Sequence, residues 1–222
     1  MVNLVKPLRI LVADDHQLVR NGIKALLQSH AGWEICGEAS TGFEAVAQAK
    51  ELLPEIVILD ISMPDLNGAD AARRIRIASG SSQILVLSMH YSDQLIRQIV
   101  EAGASGYVLK SDSDRDLLAA IDALARHKQF FTSKATEVVQ SETSSRGADR
   151  KSPQSFRDRV TSREREIIQL LCEGKKNKEI ASLLSISIKT VETHRTNAMR
   201  KLEVHNTSEL VRYAVRNQIV EP

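Results

Sequence analysis

Cysteine is nearly absent from this 222-residue chain, and its two copies, Cys36 and Cys172, stand far apart with no CxxC or Cys/His spacing. A disulfide framework and a thiolate zinc site are thereby excluded, and a reducing compartment is expected. No apolar run is long enough to span a bilayer. The opening Met1-Val2-Asn3-Leu4-Val5-Lys6-Pro7 meets charge and proline before a signal-peptide core could form. A cytoplasmic chain with no membrane partner is the expectation. Internal repeats are also lacking. Neither sign of charge dominates, with 30 Lys+Arg against 28 Asp+Glu. What is present, 42% hydrophobic and 26% charged residues, is the composition of a folded protein with room for one large domain or two modest ones.

The near-neutral total hides an asymmetry. Residues 1–131 carry 13 basic and 16 acidic side chains, whereas residues 132–222 carry 17 and 12. An acidic first part and a basic second part imply different partners, and the basic part is a candidate for nucleic acid.

The first part is organised around Ile56-Val57-Ile58-Leu59-Asp60-Ile61-Ser62-Met63-Pro64. Uninterrupted branched and leucine residues read as a strand buried on both faces, as in parallel sheets covered by helices. The strand delivers Asp60 to its carboxyl end, where open α/β sheets place their ligands. The same alternation runs through the segment. Strands are expected at Leu8–Ala13, Glu34–Ala39, Ile84–Ser88 and Gly106–Lys110. Helices are expected from Leu18 to Leu27, Phe43 to Leu53, Gly68 to Ala78, Asp93 to Ala102 and Asp112 to Arg126, with Asp112 or Ser113 capping the last. Five βα units in this length imply a doubly wound parallel sheet of flavodoxin-like order.

Beyond it the apolar periodicity fades. Residues 140–153 are small, polar and charged, the composition of a flexible linker. An all-helical segment follows, with helices expected at Thr161 or Ser162 to Gly174, Asn177–Leu184, Ile188–Leu202 and Thr207–Ile219. The domain boundaries are therefore set at 7–128, 129–156 (linker) and 157–222.

Strand ends one, three, four and five carry Asp14-Asp15, Asp60, Ser88 and Lys110, which adjacent parallel strands bring into one crevice. Three carboxylates repel one another unless a cation bridges them, and hard oxygen ligands suit Mg²⁺. Lys110 can balance an incoming phosphoryl group, Ser88 can donate to one of its oxygens, and Asp60 can attack phosphorus. Over Leu8 to Lys128 these residues, with Met63-Pro64 and Gly68, resemble the receiver domains of two-component response regulators. The resemblance implies that Asp60 accepts phosphate from a sensor histidine kinase. It also implies that Asp14 or Asp15, Asp60 and the Ser62 backbone carbonyl hold Mg²⁺, and that Ser88 and Tyr107 form a switch pair. Ser111 departs from the proline that many receivers carry after the lysine, which concerns the local peptide geometry. A Mg²⁺-dependent phosphatase with an aspartyl nucleophile is the chemical rival. It is disfavoured because Ser62 stands where such an enzyme needs a second acid to protonate the leaving group.

The basic segment from Thr161 to Gln218 resembles the LuxR-type helix-turn-helix of NarL/FixJ-like regulators. The matching residues are Ser162-Arg163-Glu164-Arg165-Glu166, Gly174, Asn177-Lys178-Glu179-Ile180-Ala181, Lys189-Thr190-Val191-Glu192-Thr193-His194 and Lys201-Leu202. On the third helix Val191, His194, Ala198 and Leu202 share one face, expected to pack inward. Lys189, Glu192, Thr193, Thr196 and Arg200 share the opposite face, expected to enter a major groove of double-stranded DNA. Glu192 suits a cytosine amino group, and Thr193 and Thr196 suit thymine methyls or base edges. Lys178, Lys189, Thr190, Arg195, Arg200 and Lys201 suit phosphates. The combined expectation is a transcription regulator rather than an enzyme, forming a homodimer on phosphorylation.

Overall fold

The computed structural model describes residues 6–112, 114–132, 135–139, 160–217 and 219–220. The chain divides into two compact units, residues 1–64 with 68–147 and residues 148–222 with 65–67, and the 147/148 junction lies outside the described residues. Most of the sequence-expected linker and Ser113, one of the two expected caps, also lie outside them.

In the first unit, strands β1 (Leu8–Ala13), β2 (Trp33–Ala39), β3 (Ile56–Asp60), β4 (Gln83–Ser88) and β5 (Gly106–Leu109) alternate with helices α1 (Gln17–Gln28), α2 (Gly42–Leu52), α3 (Gly68–Ala78), α4 (Asp93–Glu101) and α5 (Asp114–Ala125). All pairings are parallel, in the order β2-β1-β3-β4-β5, with a sixth strand, β6 (Phe130–Phe131), added beside β5. Every residue of β3 is buried, as its unbroken apolar run requires. Successive side chains go to opposite faces. Ile10, Val12, Ile56, Ile58, Leu85, Leu87 and Val108 therefore meet Ile23 and Leu27 of α1 and Leu117, Ile121 and Leu124 of α5.

Helix ends follow local chemistry. Thr41 and Ser92 cap α2 and α4 by accepting from the N–H groups of Glu44 and Leu95. After α4 the chain turns at Gly103, whose φ of +89° is open to a residue without Cβ. The expected boundary at residue 128 needs correction. Phe130 and Phe131 pair with Gly106 and Tyr107, and Ala135 and Val138 in a helical stretch at residues 135–139 are buried, so this unit extends beyond 128. A two-residue strand is too short to show any periodicity in sequence.

The second unit holds α6 (Ser162–Cys172), α7 (Asn177–Leu183), α8 (Ile188–Leu202) and α9 (Thr207–Arg216). Thr161 and Glu164 form a reciprocal capping box at the start of α6, while Ser187 and Asn206 cap α8 and α9. Ile168 of α6, Ala198 and Leu202 of α8, and Leu210 and Ala214 of α9 form the core, joined by Val160 and Ile219. The fourth helix is shorter than expected. It ends at Arg216, and Ile219 packs into the core from outside the helix.

Candidate functional site

Strand register assembles the first site. Ala13 lies opposite Leu59, Asp60 opposite Leu87, and Ser88 opposite Leu109, so Asp14, Asp60, Ser88 and Lys110 come to the same end of the sheet, with Ser88 one residue and Lys110 two residues beyond Asp60. Asp14 and Asp60 flank the β1/β3 junction, where the strand order reverses and open sheets form their crevice. Both carboxylates are buried, at 0% and 1% exposure.

Lys110 Nζ stands 2.7 Å from Asp14 Oδ2 and 3.0 Å from Asp60 Oδ2. The ammonium thus stands between the two carboxylates, and its charge is shared by both. Burial raises the Asp60 pKa to about 6; Lys110 opposes this, Asp14 adds to it, and the Ser62 N–H lowers it. Burial alone would lower Lys110, but the Asp60 and Asp14 carboxylates outweigh it and hold the ammonium above its ordinary value. The result is a desolvated carboxylate of raised basicity beside a fixed cation.

The acidic pair is braced from α1. Arg20 Nη1 donates to the Asp14 carbonyl at 2.6 Å, and the His16 N–H donates to Asp14 Oδ1 at 2.8 Å. Asp15 is exposed, with Oδ1 2.7 Å from His16 Nδ1. Ligand atoms of Asp14, Asp15, His16 and Asp60 all lie within 4.8 Å of one another and could hold a metal ion. The buried, poorly satisfied oxygens fit a divalent cation, since three carboxylates and one ammonium leave negative charge uncompensated. His16 was not among the sequence candidates; its position next to the acid pair was the available signal.

Ser88 and Tyr107 are brought to a common point. The Ser88 hydroxyl donates to the His90 carbonyl at 2.8 Å, and the Tyr107 hydroxyl donates to the same oxygen at 3.0 Å. The Tyr107 ring is fully buried, and that burial pushes its phenol up to about 12. On the other side, a Cβ at Gly68 would meet the Asp60 carbonyl at 2.2 Å and Ile61 Cα at 2.8 Å. Gly68 N–H donates to the Ile61 carbonyl at 2.9 Å, so α3 starts against the backbone next to Asp60. The Lys110–Ser111 link is trans, as are all described peptide bonds.

The second candidate site is α8. Val191, Ala198 and Leu202 are buried, His194 is half-buried, and Lys189, Glu192, Thr193, Thr196 and Arg200 are exposed on the other side. Lys178 is exposed, and it shares an open depression of about 620 Å³ with Arg195, Ile188 and Thr207. The Thr193 hydroxyl donates to the Lys189 carbonyl at 2.9 Å, and Thr190 pairs with Ser187 at the helix start. Lys201, also expected at phosphates, has a partner within the fold. Its ammonium lies 2.8 Å from both carboxylate oxygens of Glu164, tying α8 to α6.

Comparison with known proteins finds a family for each of the two units. Residues 10–122 match the response regulator receiver domain, and residues 158–214 match the bacterial regulatory proteins of the luxR family. The transcriptional regulatory protein LiaR of Bacillus subtilis is 37% identical over 213 residues, covering 96% of this chain and 99% of LiaR. Among solved structures, RcsB of Salmonella enterica serovar Typhimurium, bound to a promoter in the presence of a beryllium fluoride phosphomimetic, superposes with a TM-score of 0.59 at 26% identity. That match covers 93% of this chain and 98% of that one. A structure of two RcsB dimers bound to two parallel DNAs gives a TM-score of 0.56 at 27% identity, covering 93% and 97%. The chain belongs to the LuxR-family response regulators, proteins that join a receiver domain to a DNA-binding helix-turn-helix and regulate transcription.

Proposed function

We propose that Asp60 is the phosphoacceptor of this regulator and that a sensor histidine kinase is its donor. The observation that carries this reading is the buried Asp60 carboxylate, raised in basicity and held 3.0 Å from Lys110. A carboxylate oxygen of Asp60 attacks the phosphorus of a phosphohistidine; the new O–P bond forms as the P–N bond breaks, and its electron pair returns to the imidazole nitrogen. Lys110 balances the charge on the transferring oxygens, and the Ser88 hydroxyl turns from the His90 carbonyl to donate to one of them. Loss of that hydrogen bond frees Tyr107 to adjust, and this pair is the switch. Asp14, Asp15, Asp60 and the Ser62 carbonyl are suited to hold Mg²⁺, which when bound neutralises the phosphoryl oxygens.

Phosphorylation then favours a homodimer that sets two α8 helices in successive major grooves, about 34 Å apart. Lys189, Glu192, Thr193, Thr196 and Arg200 face the bases, with Lys178, Thr190 and Arg195 on phosphates. A DNA partner places the protein in the cytoplasm. No described helix is long and apolar enough to cross a membrane.

Sedimentation of the full chain with Mg²⁺, with and without beryllium fluoride, tests the reading, paired with DNA binding. Dimerisation and tighter binding in the wild type and neither in Asp60→Asn are expected. An unchanged response in Asp60→Asn refutes the assignment.

A further inference from the structure

We propose that the chain after α5, β6 together with residues 135–139, is a strap that carries the phosphorylation signal away from the switch pair. Tied down at rest, it loosens when the phosphoryl group arrives. The proposal rests on the reading of Asp60 as phosphoacceptor and of Ser88 and Tyr107 as its switch.

The strap meets the switch from two sides. On one, β6 pairs in register with β5, Phe130 opposite Gly106 and Phe131 opposite Tyr107, and the Phe130 N–H donates to the Ser105 carbonyl at 3.1 Å. The strand that carries the switch tyrosine therefore also holds the strap. Glycine at 106 permits this approach, since a Cβ there would meet the Phe130 carbonyl oxygen and Leu85 Cδ1, each at 2.9 Å. On the other side is Tyr91, next to His90, whose carbonyl receives both switch hydroxyls. Burial raises the Tyr91 phenol, Asp93 adds to this, and the charge of Glu137 adds further, which puts residues 135–139 within electrostatic reach of the chain between β4 and α4.

The strap is held, but lightly. The Thr136 hydroxyl reaches the Phe131 and Thr132 carbonyls, both at 3.1 Å, and the Thr136 N–H donates to the Thr132 carbonyl at 2.9 Å. Ala135 and Val138 are buried, and Phe130 packs against the core of the sheet. Against these contacts, the pairing to β5 is only two residues long, and short pairings are among the first parts of a fold to open. The Tyr107 ring is fully buried and tied to the same carbonyl as Ser88. Once the Ser88 hydroxyl leaves that carbonyl, a shift of Tyr107 is delivered to Phe131 through the ladder. Loosening then adds β6 and residues 135–139 to the chain that joins the two units, which changes the reach of the DNA-binding unit.

Hydrogen exchange of the full chain with Mg²⁺, with and without beryllium fluoride, tests this on peptides carrying β6 and residues 135–139, with β1 and β3 as internal controls. Exchange in the strap should quicken by about two- to tenfold with beryllium fluoride in the wild type and stay constant in Asp60→Asn. Thr136→Val keeps the side-chain shape and removes the hydroxyl. It should quicken exchange in the strap by a similar factor without beryllium fluoride, about two- to tenfold, and leave phosphoryl incorporation from acetyl phosphate unchanged. It should also raise unstimulated affinity for a duplex recovered by binding selection with the beryllium fluoride form. Gly106→Ala, whose Cβ displaces the Phe130 carbonyl, gives the same readout by a second route. Unchanged or slowed strap exchange in the wild type, with Asp60-dependent dimerisation intact, overturns the strap and leaves the phosphoacceptor standing. A strap loosened in either variant with unstimulated DNA affinity at the wild-type level overturns it equally. No response to beryllium fluoride anywhere in the wild type removes both readings.

Discussion

The acidic pocket and the recognition face of α8 use charge in opposite ways. In the pocket, Asp14 and Asp60 lie within 3.0 Å of Lys110 out of water, and the two carboxylates hold its ammonium above its ordinary value. On α8, Lys189, Glu192 and Arg200 stand in solvent, where interactions are screened over about 10 Å. The first region works as one unit whose parts cannot be exchanged singly. The second is a set of separately solvated side chains, and on the proposed reading each would add its own increment to DNA binding.

The sharpest break in that contrast is Asp60→Asn. Phosphoryl incorporation from acetyl phosphate, read by phosphate-affinity electrophoresis, should be present in the wild type and absent in the variant. The same substitution should stabilise the metal-free protein at pH 8, because it removes a charge that burial opposes. A carboxyl moved from its ordinary 3.8 to about 6 corresponds to about 3 kcal/mol. The sign follows from linkage. The folded state holds the Asp60 proton more tightly than the unfolded state does. The stabilising contribution of that proton is therefore complete below about pH 4 and lost as pH rises through about 6. Urea denaturation of metal-free protein should show this downward slope between pH 4 and 7 in the wild type and its loss in Asp60→Asn. An identical slope in both would assign it to another group.

Gly68→Ala should cost about 2–3 kcal/mol in urea denaturation, since the added Cβ meets backbone atoms of Asp60 and Ile61 that cannot rotate away. Phosphoryl incorporation should fall with it, linking a glycine without any reactive group to the pocket.

On α8 the effects should be smaller and separable. Glu192→Ala should relax preference at one base pair by about 1–3 kcal/mol in binding selections. Lys178→Ala should weaken binding to all sequences alike and reduce the salt slope by about 1. Lys201→Ala should leave that slope unchanged and lower stability by about 1–2 kcal/mol, because its ammonium serves Glu164. A reduced slope in Lys201→Ala would return this residue to the DNA face.

Much of the architecture was legible in the residues. The apolar run before Asp60 announces a doubly buried strand, and four further strands alternating with helices announce the parallel sheet. The start of α6 was readable from the hydroxyls of Thr161 or Ser162, one of which, Thr161, satisfies a free N–H group. Less legible was whatever depends on a partner distant in sequence. The Lys201 ammonium meets Glu164 across 37 positions, and nothing in the local pattern separates it from the free lysine at 189. The Phe130–Phe131 strand exists only because β5 offers an open edge beside it.

The sequence by itself determined the element order, the residues delivered to each strand end, and the two faces of α8, because side-chain periodicity and capping are local properties. Only the tertiary structure decided how strongly those residues interact. It set strand registers that bring Asp14, Asp60, Ser88 and Lys110 to one end of the sheet, excluded the water that would otherwise hold Asp60 near its ordinary pKa, and brought the Ser88 and Tyr107 hydroxyls to one carbonyl. Desolvation and distance are properties of the packed chain, and no window of neighbouring residues contains them.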